Sequence, residues 1–305
     1  MKATNIFKDK NFIECLKNNT FDEKGKHIKI FNNNDEIIEE NLNKVIKIDC
    51  SLCWITNIVG ISIFKNLKSI DLIYNQIEKL PSEIGKLQNL EELFLSYNEI
   101  KKLPSEIGKL KNLKKLNLSD NKIEKLPKEI GELKKLKRLY LSYNNLQSLP
   151  KEIWNLENLE ELYSRDNKIQ EIPKEIFQLK NLKELDFSYN KIEKLPKEIG
   201  NLKNLKELNL WYNQLQGLPK EILKLNKLKE IWLHKAFDFN NFKQDPEELR
   251  DILEQLKGKN LFSNRSLEYL KEEVYPILKE KIKEKYWITN LKNFKDNLNF
   301  DNLNF

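Results

Sequence analysis

The sequence predicts an α/β solenoid, a coil of near-identical turns in which short parallel strands stack on one side and short helical returns close each turn on the other. Three observations carry that expectation. The stretch Leu113 to Lys135, LKKLNLSDNKIEKLPKEIGELKK, recurs on the frame L-x-x-L-x-L-x-x-N-x-I, with copies starting at Val45, Leu67, Leu90, Leu113, Leu136, Leu159, Leu182, Leu205 and Leu228. The first step is 22 residues and the other seven are 23, and a fixed period of this length marks a stacked repeat. Within each copy the apolar period changes along the chain, and asparagine returns at one place.

Each part of the copy has its own reason. Leu116 and Leu118 alternate with Asn117 and Ser119, the two-residue period of a short strand with one buried face. Asn121 has counterparts at Asn75, Asn98, Asn144, Asn167, Asn190 and Asn213. A carboxamide carries both donors and acceptors, so a column of them can satisfy the backbone of a turn that passes inside the coil. Leu126-Pro127-Lys128-Glu129-Ile130-Gly131 then places Pro where a helical turn could begin and Gly where it could end. A single copy would leave Leu113, Leu116, Leu118, Ile123, Leu126, Ile130 and Leu133 along one uncovered edge. At about 1.5–3 kcal/mol per buried large apolar side chain, stacking contributes gross burial on the order of 10 kcal/mol per repeat, most of it offset by chain entropy. Stability is therefore a property of the array.

These residues resemble the leucine-rich repeat, and L-P-x-E-I-G in the second half is similar to the 23-residue intracellular type found in Ras-suppressor and Scribble-like proteins and in many bacterial repeat proteins. The resemblance spans roughly Val45 to Lys235. It implies a curved solenoid with a parallel sheet on the concave side, and it implies no reaction.

The domain reading follows: residues 1–44 as an N-terminal cap, 45–244 as the solenoid of about nine repeats, and 245–305 as a helical C-terminal cap with a mobile tail. In the first segment Ile6, Phe7, Phe12, Ile13 and Leu16 recur at helical spacing, and His27-Ile28-Lys29-Ile30-Phe31 reads as a short edge strand. Cys50 and Cys53 take the places of the third apolar residue and of Asn in the first repeat; they read as buried structural thiols, not as half of a metal site. Cys at the Asn place is a variant that the resembling family permits. Ser164 in the sixth repeat predicts a weak point or a small wet gap. After the array, Asp245-Pro246-Glu247-Glu248 is a helix start, with Leu249, Ile252, Leu253 and Leu256 on one face and Gly258 as a stop. A second helical stretch from about Ser266 carries Leu267, Leu270, Val274, Ile277, Leu278 and Ile282, kinked or divided by Pro276. The tandem pentapeptide Asp296 to Phe305 is low in complexity and expected to be mobile.

Composition narrows the function. The formal charge of +7 divides into 0 over residues 1–44 and −1 over 245–305, so +8 lies in the array. That surplus is lysine spread over every repeat, which reads as a solvated face and not as a nucleic-acid groove. The N-terminus lacks the apolar core of a signal peptide, no stretch approaches the ~20 apolar residues that span a bilayer, and three cysteines are too few for a disulfide framework. The expectation is a reducing, cytoplasmic setting with no membrane partner. Catalysis has little to work with. His27 and His234 are far apart, Cys15, Cys50 and Cys53 all precede the main array, and Gly85, Gly108, Gly131 and Gly200 are repeat glycines. No cofactor, metal site or catalytic residue is expected.

A non-catalytic, monomeric module that binds a protein or peptide is the reading that remains. Positions two and four after the first frame residue, and those flanking Asn, should point outward. One such column reads Tyr74, Tyr97, Asp120, Tyr143, Asp166, Tyr189 and Tyr212, and others add Phe94, Tyr140, Tyr163, Trp211 and Trp232. With strands about 4.8 Å apart they form an aromatic band suited to a protein surface; the alternative is that the tyrosines stack on one another and only stiffen the sheet. A further column runs Glu161, Glu184, Glu207 and Glu230, a carboxylate row for a basic segment of the partner unless Lys183, Lys206 and Lys229 neutralise it. A self-assembling scaffold is the second functional class, built on an apolar convex patch where Trp154 and Phe177 replace the repeat Gly.

Overall fold

The computed structural model describes residues 1–297, with side chains through residue 289. Two short helices, α1 (Ala3–Ile6) and α2 (Lys10–Leu16), a strand β1 (Thr20–Phe21) and a helical turn α3 (Glu39–Leu42) lead into the array. Nine three-residue strands follow: β2 (Lys47–Asp49), β3 (Ser69–Asp71), β4 (Glu92–Phe94), β5 (Lys115–Asn117), β6 (Arg138–Tyr140), β7 (Glu161–Tyr163), β8 (Glu184–Asp186), β9 (Glu207–Asn209) and β10 (Glu230–Trp232). All ten lie side by side in chain order in one open sheet. β1 is antiparallel to β2 and the others are parallel, in register at the repeat, so that Leu116 pairs with Leu139 and Glu207 with Glu230. This is the solenoid that the repeat implied. The middle residue of each three-residue strand is buried and its two neighbours face out, as a two-residue period requires.

The asparagine column holds the turn that enters the coil. Asn121 Oδ1 accepts from the Ile100 N–H of the preceding copy at 3.0 Å, and its Nδ2 donates to the Leu95, Leu118 and Ser119 carbonyls at 2.9, 3.1 and 3.1 Å. Asn75, Asn98, Asn144, Asn167, Asn190 and Asn213 are buried in the same way. Backbone groups that no sheet partner can reach are thus satisfied in these seven turns. Ser164 is itself fully buried, and its Oγ and carbonyl oxygen accept from Asn167 Nδ2.

Each return is a 3-10 segment such as Lys128–Glu132, entered from Pro127, whose carbonyl accepts from the Ile130 N–H at 3.1 Å. Gly131 lies inside this segment and does not end it, which corrects the expectation of a terminating glycine. It is needed for close approach: a Cβ there would sit 2.4 Å from the Glu152 carbonyl oxygen of the next return. Trp154 takes the equivalent place one repeat later and turns into the core, 1% exposed, while Phe177 remains 38% exposed. The expected convex patch of both residues is therefore not formed. A secondary ladder along the returns, Lys79 to Lys102 to Lys125, is taken up again at Glu171 and Lys194. Among the described residues the ladder has no bridge at Ser148, in the repeat that carries Trp154.

The N-terminal cap differs from the sequence reading in two respects. The edge strand is β1, and residues 27–31 contribute only single bridges, Phe21 with His27 and Phe31 with Ile37. Thr20 Oγ1 donates to the Ile28 carbonyl at 2.6 Å, so the segment backs β1 as an outer layer. Cys15 and Cys50 form a disulfide, with Cys53 the free thiol and its sulfur 3.0 Å from Cys15. Two buried free thiols at Cys50 and Cys53 were the wrong expectation, because α2 brings Cys15 from 35 residues away. Asp9 ties the cap to the array: one oxygen caps α2 through the Phe12 N–H at 3.0 Å, and the other accepts from Thr56 N and Oγ1, both at 2.6 Å, and from the Asn57 N–H.

At the other end, α4 (Pro246–Gly258) starts as its sequence requires, with Asp245 accepting from the Glu247 and Glu248 N–H groups and Leu249, Ile252, Leu253 and Leu256 buried. Then α5 (Asn264–Tyr269) passes through a π-turn, Leu270–Val274, into α6 (Tyr275–Asn297). The division falls just before Pro276, which lacks the N–H an unbroken helix would need. The Leu261 carbonyl accepts from the Ile231 N–H at 2.8 Å, so the cap adds one more rung beyond β10. From residue 298 onward the tandem pentapeptide lies outside the described residues.

Candidate functional site

The outward columns separate into a sheet face and a rim. On the sheet face, carried by the strands, lie Phe94, Tyr140, Tyr163 and Trp232 with the carboxylates Glu161, Glu184, Glu207 and Glu230, all of them half-buried. Tyr140 and Tyr163 stack at 5.2 Å between ring centroids. Each also donates to the carboxylate one strand on, Tyr140 to Glu161 at 2.8 Å and Tyr163 to Glu184. Burial, then the bond to Glu161, pushes the Tyr140 phenol up to about 12; burial and Glu184 raise Tyr163 further. Lys115 Nζ lies 4.7 Å from the Phe94 ring and covers it.

The carboxylate row is not uniform. Arg138 donates to Glu161 at 2.8 Å and neutralises it, and Lys183 pairs with Glu160 at 2.5 Å, outside the row. Glu207 and Glu230, among the described residues, have no ion pair within 4.0 Å. Burial first, and then the Glu184 and Glu230 charges, raise the Glu207 carboxyl above its ordinary value, while Lys229 and Lys206 pull it back. The neutralising lysines of the sequence reading act at a distance and only in part.

The rim holds Tyr74, Tyr97, Tyr143, Tyr189 and Tyr212, three residues beyond the strands and not within them. Every one has a left-handed backbone, φ +48° to +56°, and so have Asp120, Asp166 and Leu52 at the same frame position. The turn demands this conformation, which Gly or Asn adopts with less strain than a bulky side chain, by roughly 1–2 kcal/mol per residue. Packing does not favour tyrosine there either, since Tyr74, Tyr97, Tyr143 and Tyr212 are 50, 45, 43 and 37% exposed. Tyr74 stacks on Tyr97 at 4.1 Å and Tyr189 on Tyr212 at 4.4 Å, so the stacking alternative is realised in pairs and interrupted at both aspartates.

Several residues of this surface were missed in sequence. Leu52 and Trp54 are 70 and 69% exposed, both with left-handed backbone, and with Tyr74, Tyr97, Asn75 and Gln76 they line a groove of about 410 Å³. Leu52 belongs to the tyrosine column one copy earlier, which was the available signal. Arg165 inserts its guanidinium between Tyr143 and Tyr189, 5.6 and 4.6 Å from the ring centroids. At the C-terminal end Trp211 and Tyr212 meet the edge of His234, at 5.8 and 5.6 Å, which in turn meets Tyr269 of α5 at 5.4 Å. Trp211 Nε1 and His234 Nδ1 are buried there with no hydrogen-bond partner among the described residues. Among the described residues no group of three or more His, Cys, Asp or Glu side chains is placed to hold a metal ion, and no helix is long and apolar enough to cross a membrane.

Known proteins agree with this architecture. Two overlapping matches to a profile of the leucine-rich repeat region cover residues 41–139 and 107–189, and single leucine-rich repeats match at 181–202 and 204–225. No curated protein matches the chain. Among solved structures, internalin C2 from Listeria monocytogenes superposes with a TM-score of 0.65 at 26% identity, over 75% of this chain and 94% of that one. A TDR receptor superposes at 0.57 and 29% identity, over 63% of this chain and 34% of the receptor. The ectodomain of the receptor kinase GASSHO1/SCHENGEN3 from Arabidopsis thaliana, at 0.50 and 24%, covers 58% of this chain and 25% of its own, and shares the fold. With its period, asparagine column and parallel sheet matched by profile and by structure alike, the chain belongs to the leucine-rich repeat family.

Proposed function

We propose that this chain is a non-catalytic module that binds a protein or peptide along the sheet face and its tyrosine rim, acting as a monomer. The observation that carries the reading is the tyrosine at a left-handed turn. Five of the copies place a bulky ring where the backbone prefers glycine or asparagine, and four of those rings are more than a third exposed. A side chain that is strained by its backbone and little used in packing fits a role in contact with something else. Large rings with a polar tip provide contact area at small entropic cost.

The C-terminal half of the face has the clearer charge. Glu184, Glu207 and Glu230 stand in adjacent strands on the same half of the molecule as Trp211, Tyr212 and Trp232, and Glu207 and Glu230 have no ion pair within 4.0 Å among the described residues. A basic segment of the partner is the natural counterpart, and complementary charge would steer association. The scaffold alternative loses its main support with Trp154 inside the core.

Affinity capture from the source cell tests this, comparing wild type with Trp211→Ala/Tyr212→Ala/Trp232→Ala and with Phe177→Ala on the opposite side. The partner should be held by wild type and by the Phe177 variant and lost by the triple variant. Once it is in hand, Glu184→Gln/Glu207→Gln/Glu230→Gln should slow association and flatten its dependence on salt. Unchanged capture by both triple variants would place the interface elsewhere.

A further inference from the structure

The tyrosine rim contains two equivalent gaps, and only one of them is filled. Each gap spans two repeat steps, with aspartate at its centre: Tyr97–Asp120–Tyr143 and Tyr143–Asp166–Tyr189. The backbone is the same in both. Asp120 and Asp166 have φ of +54° and +53°, and the inter-repeat ladder runs through them, Asp120 N–H to the Ser142 carbonyl at 2.9 Å and Asp166 N–H to the Ser188 carbonyl at 3.0 Å. Two strand steps separate the flanking rings by roughly 9.6 Å, enough for one flat group between them.

In the second gap that group is Arg165, from the residue just before Asp166, with its guanidinium carbon 5.6 Å from the Tyr143 ring and 4.6 Å from Tyr189. The matching residue of the first gap is Ser119, too short to enter it. Among the described residues no cation is stacked on Tyr97, whose other face is taken by Tyr74. Asp120 is half-buried, where Asp166 is exposed, and has no ion pair within 4.0 Å among the described residues. Burial, and then the Asp166 charge, raise its carboxyl above the usual range; a cation would relieve both.

Resting on the binding reading above and deepening it, the geometry points to the Tyr97–Asp120–Tyr143 gap as a receptor for an arginine side chain of the partner, held as the molecule already holds its own Arg165. The guanidinium stacks between the two rings and sits over the Asp120 carboxylate. Arginine suits the gap better than lysine because it is planar and weakly hydrated, and stacks on both faces. The N-terminal half of the rim thereby reads a single basic residue, and the distant Glu184–Glu230 row reads net charge.

The test uses the full chain, with ¹³C-labelled tyrosine rings assigned by single Tyr→Phe changes, and as probe a capped pentapeptide Gly-Gly-Arg-Gly-Gly. Its isostere with citrulline in place of arginine is the control. Tyr97 and Tyr143 should shift saturably with a millimolar Kd, and the citrulline peptide should leave both unmoved. Ser119→Arg places a cation in the gap from within the chain and should weaken the probe at least about tenfold, with the melting temperature unchanged. Asp120→Asn should weaken it as well, and stands in should the first variant fail to fold. The assignment is overturned if neither resonance moves, if citrulline works equally, or if both variants bind like wild type. A partner that is still captured by wild type and lost on changing Trp211, Tyr212 and Trp232 would then show that only the gap assignment fails; loss of that dependence would sink the binding reading itself.

Discussion

The interior of the coil and its exposed face obey the same 23-residue period but use it in opposite ways. Inside, nearly the same chemistry is laid down at each step: Leu or Ile in the strand centres, and in seven copies an Asn such as Asn121, with one accepted and three donated hydrogen bonds. Outside, one frame position holds Tyr, Asp, Leu or Lys on the same left-handed backbone, and its neighbour holds Ser in several copies and Arg165 in one. The interior cannot vary because each layer is the template for the next. The face can vary because the stacking of the next layer is not templated on it.

The sharpest way to break this comparison is to change one residue of each region in the same repeat neighbourhood. Asn144→Ala removes an acceptor for the Ile123 N–H and a donor to the Leu118, Leu141 and Ser142 carbonyls. With buried groups left unpaired at about 1–3 kcal/mol each, partly relieved by water, a loss of about 3–5 kcal/mol is expected. Tyr143→Ala, one residue earlier but exposed, should change stability by less than about 0.5 kcal/mol. Denaturant unfolding measures both, and equal effects would end the distinction between frame and face.

A smaller effect is expected at the returns. Gly131→Ala brings a Cβ to 2.4 Å from the Glu152 carbonyl oxygen, which is backbone and cannot swing away. A loss of about 1–3 kcal/mol should follow. Trp154, at the same place one layer on, is accommodated inside the core at 1% exposure. Gly258→Ala, with nothing within 4 Å of its Cβ, is the control and should be near neutral.

The N-terminal junction comes next. Burial alone would raise the Asp9 carboxyl, but its bonds to Thr56, Phe12 and Asn57 together hold it below the usual range. Its contribution is therefore complete above the unfolded value near 3.9 and is lost as pH falls through the lower folded value. Asp9→Asn should cost about 1–2 kcal/mol at pH 7, with the gap to wild type closing in acid. A gap that stays constant down to pH 2 would mean that the charge of Asp9 is not what ties the cap.

How much of this was legible follows the same division. Repetition exposes the interior: Leu116, Leu118, Asn121 and Ile130 could be assigned from spacing alone, because the same constraint is stated many times. The C-terminal start at Asp245 was legible because capping is local chemistry. What could not be read came from contacts between distant segments or from backbone geometry. The Cys15–Cys50 pairing depends on where α2 lands, and the inward turn of Trp154 on the packing of its neighbouring layers. The tyrosine column was visible as a column, but its left-handed turn and its place on the rim were not, since tyrosine gives no hint of positive φ. Arg165 gave no signal because its frame position already varies, with Ile73, Trp211 and His234 among the serines.

The smallest expected effect tests whether the face is kept at the expense of stability. Glu207 stands in register between Glu184 and Glu230, and burial with those two charges raises its carboxyl. An acid whose folded value is raised holds its proton longer in the native state, so stability falls as pH rises above the unfolded value near 4.3 and through the folded value, and remains lower beyond it. Glu207→Gln removes the charge and should melt slightly above wild type at pH 7, with the two curves converging below pH 4. Glu92→Gln, at the same frame position but beside Ser69 and Lys115, should show no such gain. If Glu207→Gln raises the melting temperature and also weakens the partner, the row is a binding element retained against folding. If it does neither, Lys206 and Lys229 already neutralise the row, and the acidic half of the face is no more than solvated surface.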